Sequence, residues 1–297
     1  MHVLNRAKAN SVALETTLLV HGIPVERAPA LQAELSEICT RVGATPSLVG
    51  VVGGVPTVGM TDQELGVLLA AGEVPKANTA NLGALIHRKQ HAATTVSATM
   101  ELAAAAGVRV FATGGLGGVH QGYGTHLDIS SDLSALARFP VAVVSSGVKS
   151  ILDVEATREA LETLGVTVVG FQTEFFPAFY LRRSEGGAGV DVRFDDATEL
   201  AGFVASELAR TGRGMVIANP IPASSELDAR EWSRWLDAAR AEADRAGKRG
   251  RAVTPAVLGA LHRVSGGRTL EANLALVRSN VDVAARIAAR LGAGQST

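Results

Sequence analysis

The sequence predicts a three-layer α/β/α fold with a mostly parallel central sheet and a helical C-terminal segment. Three observations carry this reading. Six short β-rich runs alternate with longer stretches whose apolar residues recur at helical spacing, the order that builds a parallel sheet flanked by helices. Most of the runs are continuously apolar, as strands covered on both faces are. Each run then hands over to polar or glycine residues: ETT, GG, GGLGGVH, SSGVK, QTE and NP. Ligands of open α/β sheets bind outside the carboxyl ends of the strands, so the pattern predicts one site assembled from many loops.

In chain order, SVALETT (11–17) reads as the first strand and 26–42 as the helix that follows it. SLVGVVGG (47–54) is the next strand, with helical spacing over 62–71 and 97–106. VRVFATGG (108–115) and PVAVVSSG (140–147) are strands, separated by THLDISSDLSAL (125–136), which has the look of a helix start. A helix over 155–164, a strand VTVVGFQT (166–173), a helix over 196–210 and a strand GMVIANP (214–220) complete the alternation. SEGGAGVD (184–191) reads as a flexible loop between them. The rest is helical over about 227–292, so residues 1–293 read as one α/β domain and 294–297 as a frayed tail. No internal repeat is visible.

Composition narrows the function. The formal net charge of −1 lacks the electrostatic footprint of a general nucleic-acid or anionic-membrane partner. The single cysteine, Cys39, lies in a helical pattern, where a structural thiol is expected rather than a nucleophile. One cysteine excludes an internal disulfide and fits a reducing compartment. No signal-like segment or membrane-length apolar run is present, and the expectation is a soluble, cytoplasmic protein.

Lysine is scarce: five against 23 arginines. Where a charge or a long stem suffices, this chain writes arginine. Lys149 in SSGVKSILD, behind the apolar run PVAVV, therefore stands out, because a desolvated lysine can lose its proton and act as a nucleophile or base. The bland alternative is a lysine snorkelling from a helix start. Glu15, at the end of the first strand, sits among apolar residues and threonines, a setting that raises a carboxyl pKa and suits a general acid. A structural hydrogen-bonding role fits the same position. Lys76, in GEVPKANTANL, reads as a solvated loop lysine, and ANPIP (218–222) as a rigid turn that could present Asn219. GFQTEFFPAFY reads as core before pocket.

Two further motifs need weighing. ATGGLGGVH follows a strand but has His120 where a dinucleotide fingerprint requires glycine. Its glycines serve either an anionic ligand or close strand–helix packing. Asp128, Ser130, Ser131 and Asp132 cluster where capping residues belong. Free amides at a helix start also bind phosphate, and one carboxylate can hold a hard Mg²⁺ or Mn²⁺ that keeps most of its waters. His120, His126 and Asp128 match no common zinc spacing.

Taken together, these stretches resemble the pseudouridine-5′-phosphate glycosidase family, also called the indigoidine synthase A-like family. VALETTLLVHGIP (12–24), GGVPTVGMT (53–61), ATTVSATMELAAAAGVRVFATGGLGGVH (93–120), LDISSDL (127–133), SGVKSILD (146–153), GFQTEFFPAFY (170–180), ANPIP (218–222) and LEANLALVRSN (270–280) carry the likeness. The resemblance runs from about residue 11 to 292. It implies reversible cleavage of the C–C glycosidic bond of pseudouridine 5′-phosphate to uracil and ribose 5-phosphate, with a divalent metal, typically Mn²⁺, in a homotrimer. By position, Glu15 matches the family's proton donor, Lys149 its nucleophile and Asp128 its metal ligand. Lys76, Val96 and the run Ser130, Ser131 and Asp132 match substrate-contacting positions, and Asn273 an asparagine also placed at the site. The loop around Lys76 is less family-like than its neighbours. Two other readings stay open: the same lysine chemistry on a different phosphosugar C-glycoside, and a non-catalytic phosphosugar-binding protein.

Overall fold

The structure is a computed structural model that describes residues 2–125, 127–247 and 253–293. His126 and the tail 294–297, both part of the sequence reading, lie outside the described residues. The first half runs β1 (Leu4–Asn5), β2 (Ser11–Glu15), α1 (Thr16–His21), α2 (Ala28–Arg41), β3 (Thr45–Val52), β4 (Val55–Val58), α3 (Asp62–Ala70), β5 (Lys76–Ala77), α4 (Leu82–His87) and β6 (Ala92–Thr94). It continues through α5 (Val96–Ala105), β7 (Val110–Ala112), α6 (Ser131–Leu136), β8 (Ala142–Ser145), α7 (Val154–Thr163), β9 (Val168–Phe171) and β10 (Val192–Phe194). Last come α8 (Ala197–Thr211), β11 (Met215–Ala218), α9 (Ala229–Arg245), α10 (Val253–Val264) and α11 (Arg268–Ala293).

The strand order is β1-β4-β3-β2-β7-β8-β11-β9-β10. From β3 across to β10 every neighbouring pair is parallel. Alternation within single strands splits the core in two. Val12, Leu14, Val110, Ala112, Val144 and Ile217 face the layer holding α2, α8 and α11. Ala13, Phe111, Val143 and Val216 face the layer holding α5 and α7. Both faces of these central strands are therefore covered, which is why they read as unbroken apolar runs. The expected three-layer α/β/α arrangement is what forms.

Several boundaries differ from the sequence reading, each for a local reason. The first strand stops at Glu15, because Thr16 already opens α1. Gly53 (φ 58°) and Gly54 (φ 79°) do not end a simple strand but turn the chain into β4, which pairs back antiparallel on β3. Strands β5 and β6 hold two and three residues, too few to show a period, and were not legible. The 184–191 loop is tied by hydrogen bonds from Phe176 N–H to Ala188 O (2.7 Å) and from Gly186 N–H to the Glu155 carboxylate (3.1 Å).

α11, at 26 residues, is the spine of the C-terminal segment and packs on α2, α8, β2, β7 and β8. Leu276, Val281 and Ile287 on it are fully or almost fully buried, each such side chain stabilising the fold by roughly 1.5–3 kcal/mol. Its buried Asn280 fastens the helix to three strand ends. The amide donates to Thr113 O (2.8 Å) after β7 and to Ser146 Oγ (3.2 Å) after β8, and its oxygen accepts from Asn219 Nδ2 (2.9 Å) after β11. Among the described residues, no helix is long and apolar enough to cross a membrane.

Candidate active site

A cleft of ≈ 310 Å³ opens over the carboxyl ends of the strands, beneath α10 and α11. Glu15, Lys76, Thr113, Lys149, His262 and Asn273 are among its lining residues. Four of the residues singled out in the sequence, drawn from four distant segments, thus meet in one place: Glu15, Lys76, Lys149 and Asn273.

Glu15 is the last residue of β2. Two threonines behind it hold the strand end still: Thr16 Oγ1 donates to Val49 O (2.9 Å) and Thr17 Oγ1 to Thr94 O (2.7 Å). The carboxylate accepts a hydrogen bond from Thr113 Oγ1 at 2.5 Å. Burial pushes the Glu15 carboxyl above its ordinary pKa, while nearby Lys149, the Thr113 hydroxyl and Lys76 pull the other way and Asp132 adds to the rise. Burial is the largest of these causes. A carboxyl whose pKa is raised by burial holds its proton to higher pH, which suits a proton donor.

Lys149 lies in the loop between β8 and α7, not at a helix start. Gly147 makes that loop possible: its φ is 72°, and a Cβ there would stand 1.8 Å from Pro177 O. Leu116 N–H donates to Gly147 O (2.9 Å) and Lys149 N–H to Leu116 O (3.0 Å), so the lysine backbone is locked against the glycine-rich strand end. Asp153, four residues past Lys149, caps α7 by accepting from Ala156 N–H (2.9 Å). Lys76 reaches the cleft from the edge strand β5. Its pKa is lowered, first by burial and then by repulsion from Lys149, with Glu15 opposing. His21 lines the same cleft, its pKa lowered by burial and by Lys76.

The remaining sequence candidates lie elsewhere. Val96 is buried at the start of α5. Asp132 is buried with both carboxylate oxygens engaged: Oδ1 accepts from Ser97 N–H (3.0 Å) and Oδ2 from Gly117 N–H (2.8 Å). Ser130 Oγ caps α6 by accepting from Asp132 N–H (3.2 Å), and Ser131 Oγ pairs with Ser97 Oγ (2.9 Å). None of these lines the cleft. The Gly117 amide thus serves Asp132, and a Cβ at Gly117 would fall 2.2 Å from Ser130 Oγ. Close packing accounts for that glycine.

Asp128 stands apart with its side chain 56% exposed, 3.7 Å from His120 Nδ1. Among the described residues no three metal-ligating side chains cluster. A half-exposed carboxylate beside one imidazole fits a hard divalent ion that keeps most of its own waters. It does not fit a stripped, multi-ligand zinc centre.

Sequence reasoning passed over Thr113, His262, Phe179 and Tyr180. Phe179 and Tyr180 are at once core and cleft wall, stacked edge-on with ring centroids 4.5 Å apart. Their segment was read as core before pocket. Asn219, expected in a rigid turn, is directed to α11, donating to Ser279 Oγ and Asn280 Oδ1 (both 2.9 Å).

Comparison with known proteins adds a family. The family model described as indigoidine synthase A like protein matches residues 3–290. A pseudouridine-5′-phosphate glycosidase from Nocardioides sp. is 43% identical over 95% of this chain and 92% of the relative. One from Caldanaerobacter subterraneus is 43% identical over 94% and 91%. An indigoidine synthase A-like protein of Thermotoga maritima superposes with a TM-score of 0.88 at 36% identity, covering 98% of both chains. The prealnumycin C-glycosynthase AlnA, solved with ribulose 5-phosphate, gives 0.88 at 33% identity over 96% of this chain and 93% of its own.

Proposed function

The chain belongs to the indigoidine synthase A-like family, and from that premise we propose that it is an enzyme making and breaking the C–C glycosidic bond of pseudouridine 5′-phosphate. The products of cleavage are uracil and ribose 5-phosphate. The relatives named as pseudouridine-5′-phosphate glycosidases support the substrate, and the likeness to a C-glycosynthase supports the bond type. The observation that carries the mechanism is the convergence of a buried carboxyl with a raised pKa, Glu15, and a lysine, Lys149, in one cleft.

An ordinary glycosidase protonates a leaving oxygen between two carboxylates. Here the base is attached through carbon, and no such oxygen exists. In the proposed route Glu15 gives its proton to the ribose ring oxygen as the C1′–O bond breaks and the sugar opens. The Lys149 amine adds at C1′. The base carbon then takes up a proton, the C1′–C bond breaks, and the nitrogen lone pair closes an imine to the sugar. Water hydrolyses the imine, releasing ribose 5-phosphate and free lysine. Lys76, a second cation beside Lys149, can attract the phosphorylated sugar. Asp128 would hold a divalent ion, Mn²⁺ or Mg²⁺, which when bound supplies positive charge and ordered water. In this reading Val96, Ser130, Ser131 and Asp132 act on the substrate from behind the cleft, Asp132 by holding the Gly117 loop against Ser97 of α5.

We expect a homotrimer as the working assembly; exposed Tyr123, Leu127 and Ile129 near Asp128 supply apolar surface for association. Sedimentation at equilibrium checks it. The function is tested by mixing protein, uracil, ribose 5-phosphate and Mn²⁺ and seeking pseudouridine 5′-phosphate by chromatography and mass spectrometry. Product that disappears with EDTA supports both substrate and metal. Its absence from folded, metal-loaded protein would move the substrate to another phosphosugar C-glycoside.

A further inference from the structure

His262 is left without a task by the chemistry above, although it lines the same cleft. It sits near the end of α10, where Gly266 (φ 58°) and Gly267 (φ 85°) reverse the chain into α11. Gly267 N–H donates to His262 O (3.2 Å), which tightens the turn. The first residues of α11 are thereby folded back onto the imidazole. Its Nδ1 meets Thr269 Oγ1 at 3.0 Å, and Thr269 Oγ1 meets Ser265 Oγ at 3.0 Å. Both hydroxyl residues are buried, at 1% and 4% exposure. Two buried hydroxyls in series on one ring nitrogen fix the orientation of the ring. Among the described residues none hydrogen-bonds to Nε2. A ring held by one nitrogen, with the other unspent in an open cleft, is arranged to meet a ligand.

The ligand's chemistry follows from what the cleft already provides. Its cations are Lys76 and Lys149, and the acid is Glu15. Burial lowers the His262 pKa, so the ring enters as a neutral imidazole and adds no charge for a phosphate. Asn273, also neutral and also lining the cleft, stands on α11 one turn past Thr269; its Oδ1 lies close enough that a Cβ on Gly114 would be 3.2 Å from it. The C-terminal helices therefore bring an amide and an imidazole, while the strand ends bring the reactive groups. A uracil joined to the sugar through C5 keeps both N–H groups and both C=O groups free, and its imide run C2=O, N3–H, C4=O forms one edge. Neutral donors and acceptors pair with such an edge.

We propose that His262 is a specificity-determining residue that recognises the nucleobase, pairing through Nε2 with the imide edge of uracil beside Asn273. The inference rests on the C-glycoside reading above. It is tested with His262→Ala, His262→Gln and Thr269→Val, each checked for an unchanged melting temperature. At saturating ribose 5-phosphate, His262→Ala should raise the KM for uracil about tenfold, the worth of one hydrogen bond in a desolvated site. His262→Gln should recover part of that loss, and Thr269→Val should show a smaller rise of the same kind. Reductive trapping of ribose 5-phosphate, which needs no base, should be unaffected in all three. Calorimetric titration with uracil reads the contact without turnover. Equal uracil affinity in wild type and His262→Ala, or none in wild type, overturns the inference. A wild type that binds uracil more tightly than the variant yet forms no C-nucleoside phosphate contradicts the functional reading instead.

Discussion

At the ends of β2 and β8, Glu15 and Lys149 stand in an open cleft, one carboxyl and one amine with a threonine and a second lysine as company. Around the start of α6 the same kinds of residue are present, but their polar atoms are spent within the protein. Asp132 binds two backbone amides, Ser130 caps a helix and Ser131 pairs with Ser97. The two regions differ in what surrounds the charge rather than in residue type. Glu15 has one hydroxyl donor, and burial raises its pKa. Asp132 is held by two N–H groups, and these charge-assisted bonds fasten the glycine-rich loop to α5. On the proposed reading, reactivity belongs to the group left incompletely satisfied.

Breaking the comparison on the cleft side should have the largest effect. Lys149→Arg keeps charge and length but cannot lose its proton near neutral pH, so turnover should fall by about 10⁴-fold or more, as when a covalent nucleophile is removed. Near-normal steady-state rates in that variant would remove the covalent route. Glu15→Gln keeps the shape and the Thr113 contact but has no acidic proton, and should slow ring opening by roughly 10²–10⁴-fold. The pH profile sharpens this. Because burial raises the Glu15 pKa, the carboxyl is in its acid form below that raised value and ionises above it. Wild-type kcat should therefore decline on the alkaline side through that titration, and the Gln variant should lose this limb. An identical alkaline limb in both would assign it to another group.

On the α6 side the expected loss is in stability. Asp132→Ala leaves two backbone amides, Ser97 and Gly117, without a charged acceptor, and at about 1.5–3 kcal/mol per such bond the fold should lose roughly 3 kcal/mol or more. Thermal or urea unfolding measures it. An unchanged melting temperature with weakened sugar-phosphate binding would show instead that this carboxylate acts mainly on the ligand.

The legible parts of the molecule were those with a local signature. Continuous apolar runs ending in polar residues marked the strands that build the cleft floor, and Glu15 and Lys149 were visible at their ends. The scarcity of lysine singled out Lys149 further. The structural engagement of Asp132 was not legible, since its two donors lie 35 and 15 residues away in sequence. Strands β5 and β6 are too short to carry a period. His262 in LGALHRV reads as one more polar residue on a helix. Its place in the cleft depends on the Gly266–Gly267 turn and on three helices packing together, which no short window contains.

The central claim is that Lys149 joins the sugar covalently, and one measurement addresses it directly. Wild-type protein is incubated with ribose 5-phosphate and borohydride, digested, and mapped by mass spectrometry. The account predicts a reduced pentose-phosphate adduct on the peptide carrying Lys149, absent from Lys149→Arg and undiminished in His262→Ala. An adduct confined to Lys76, or no adduct in protein that turns over, would contradict it.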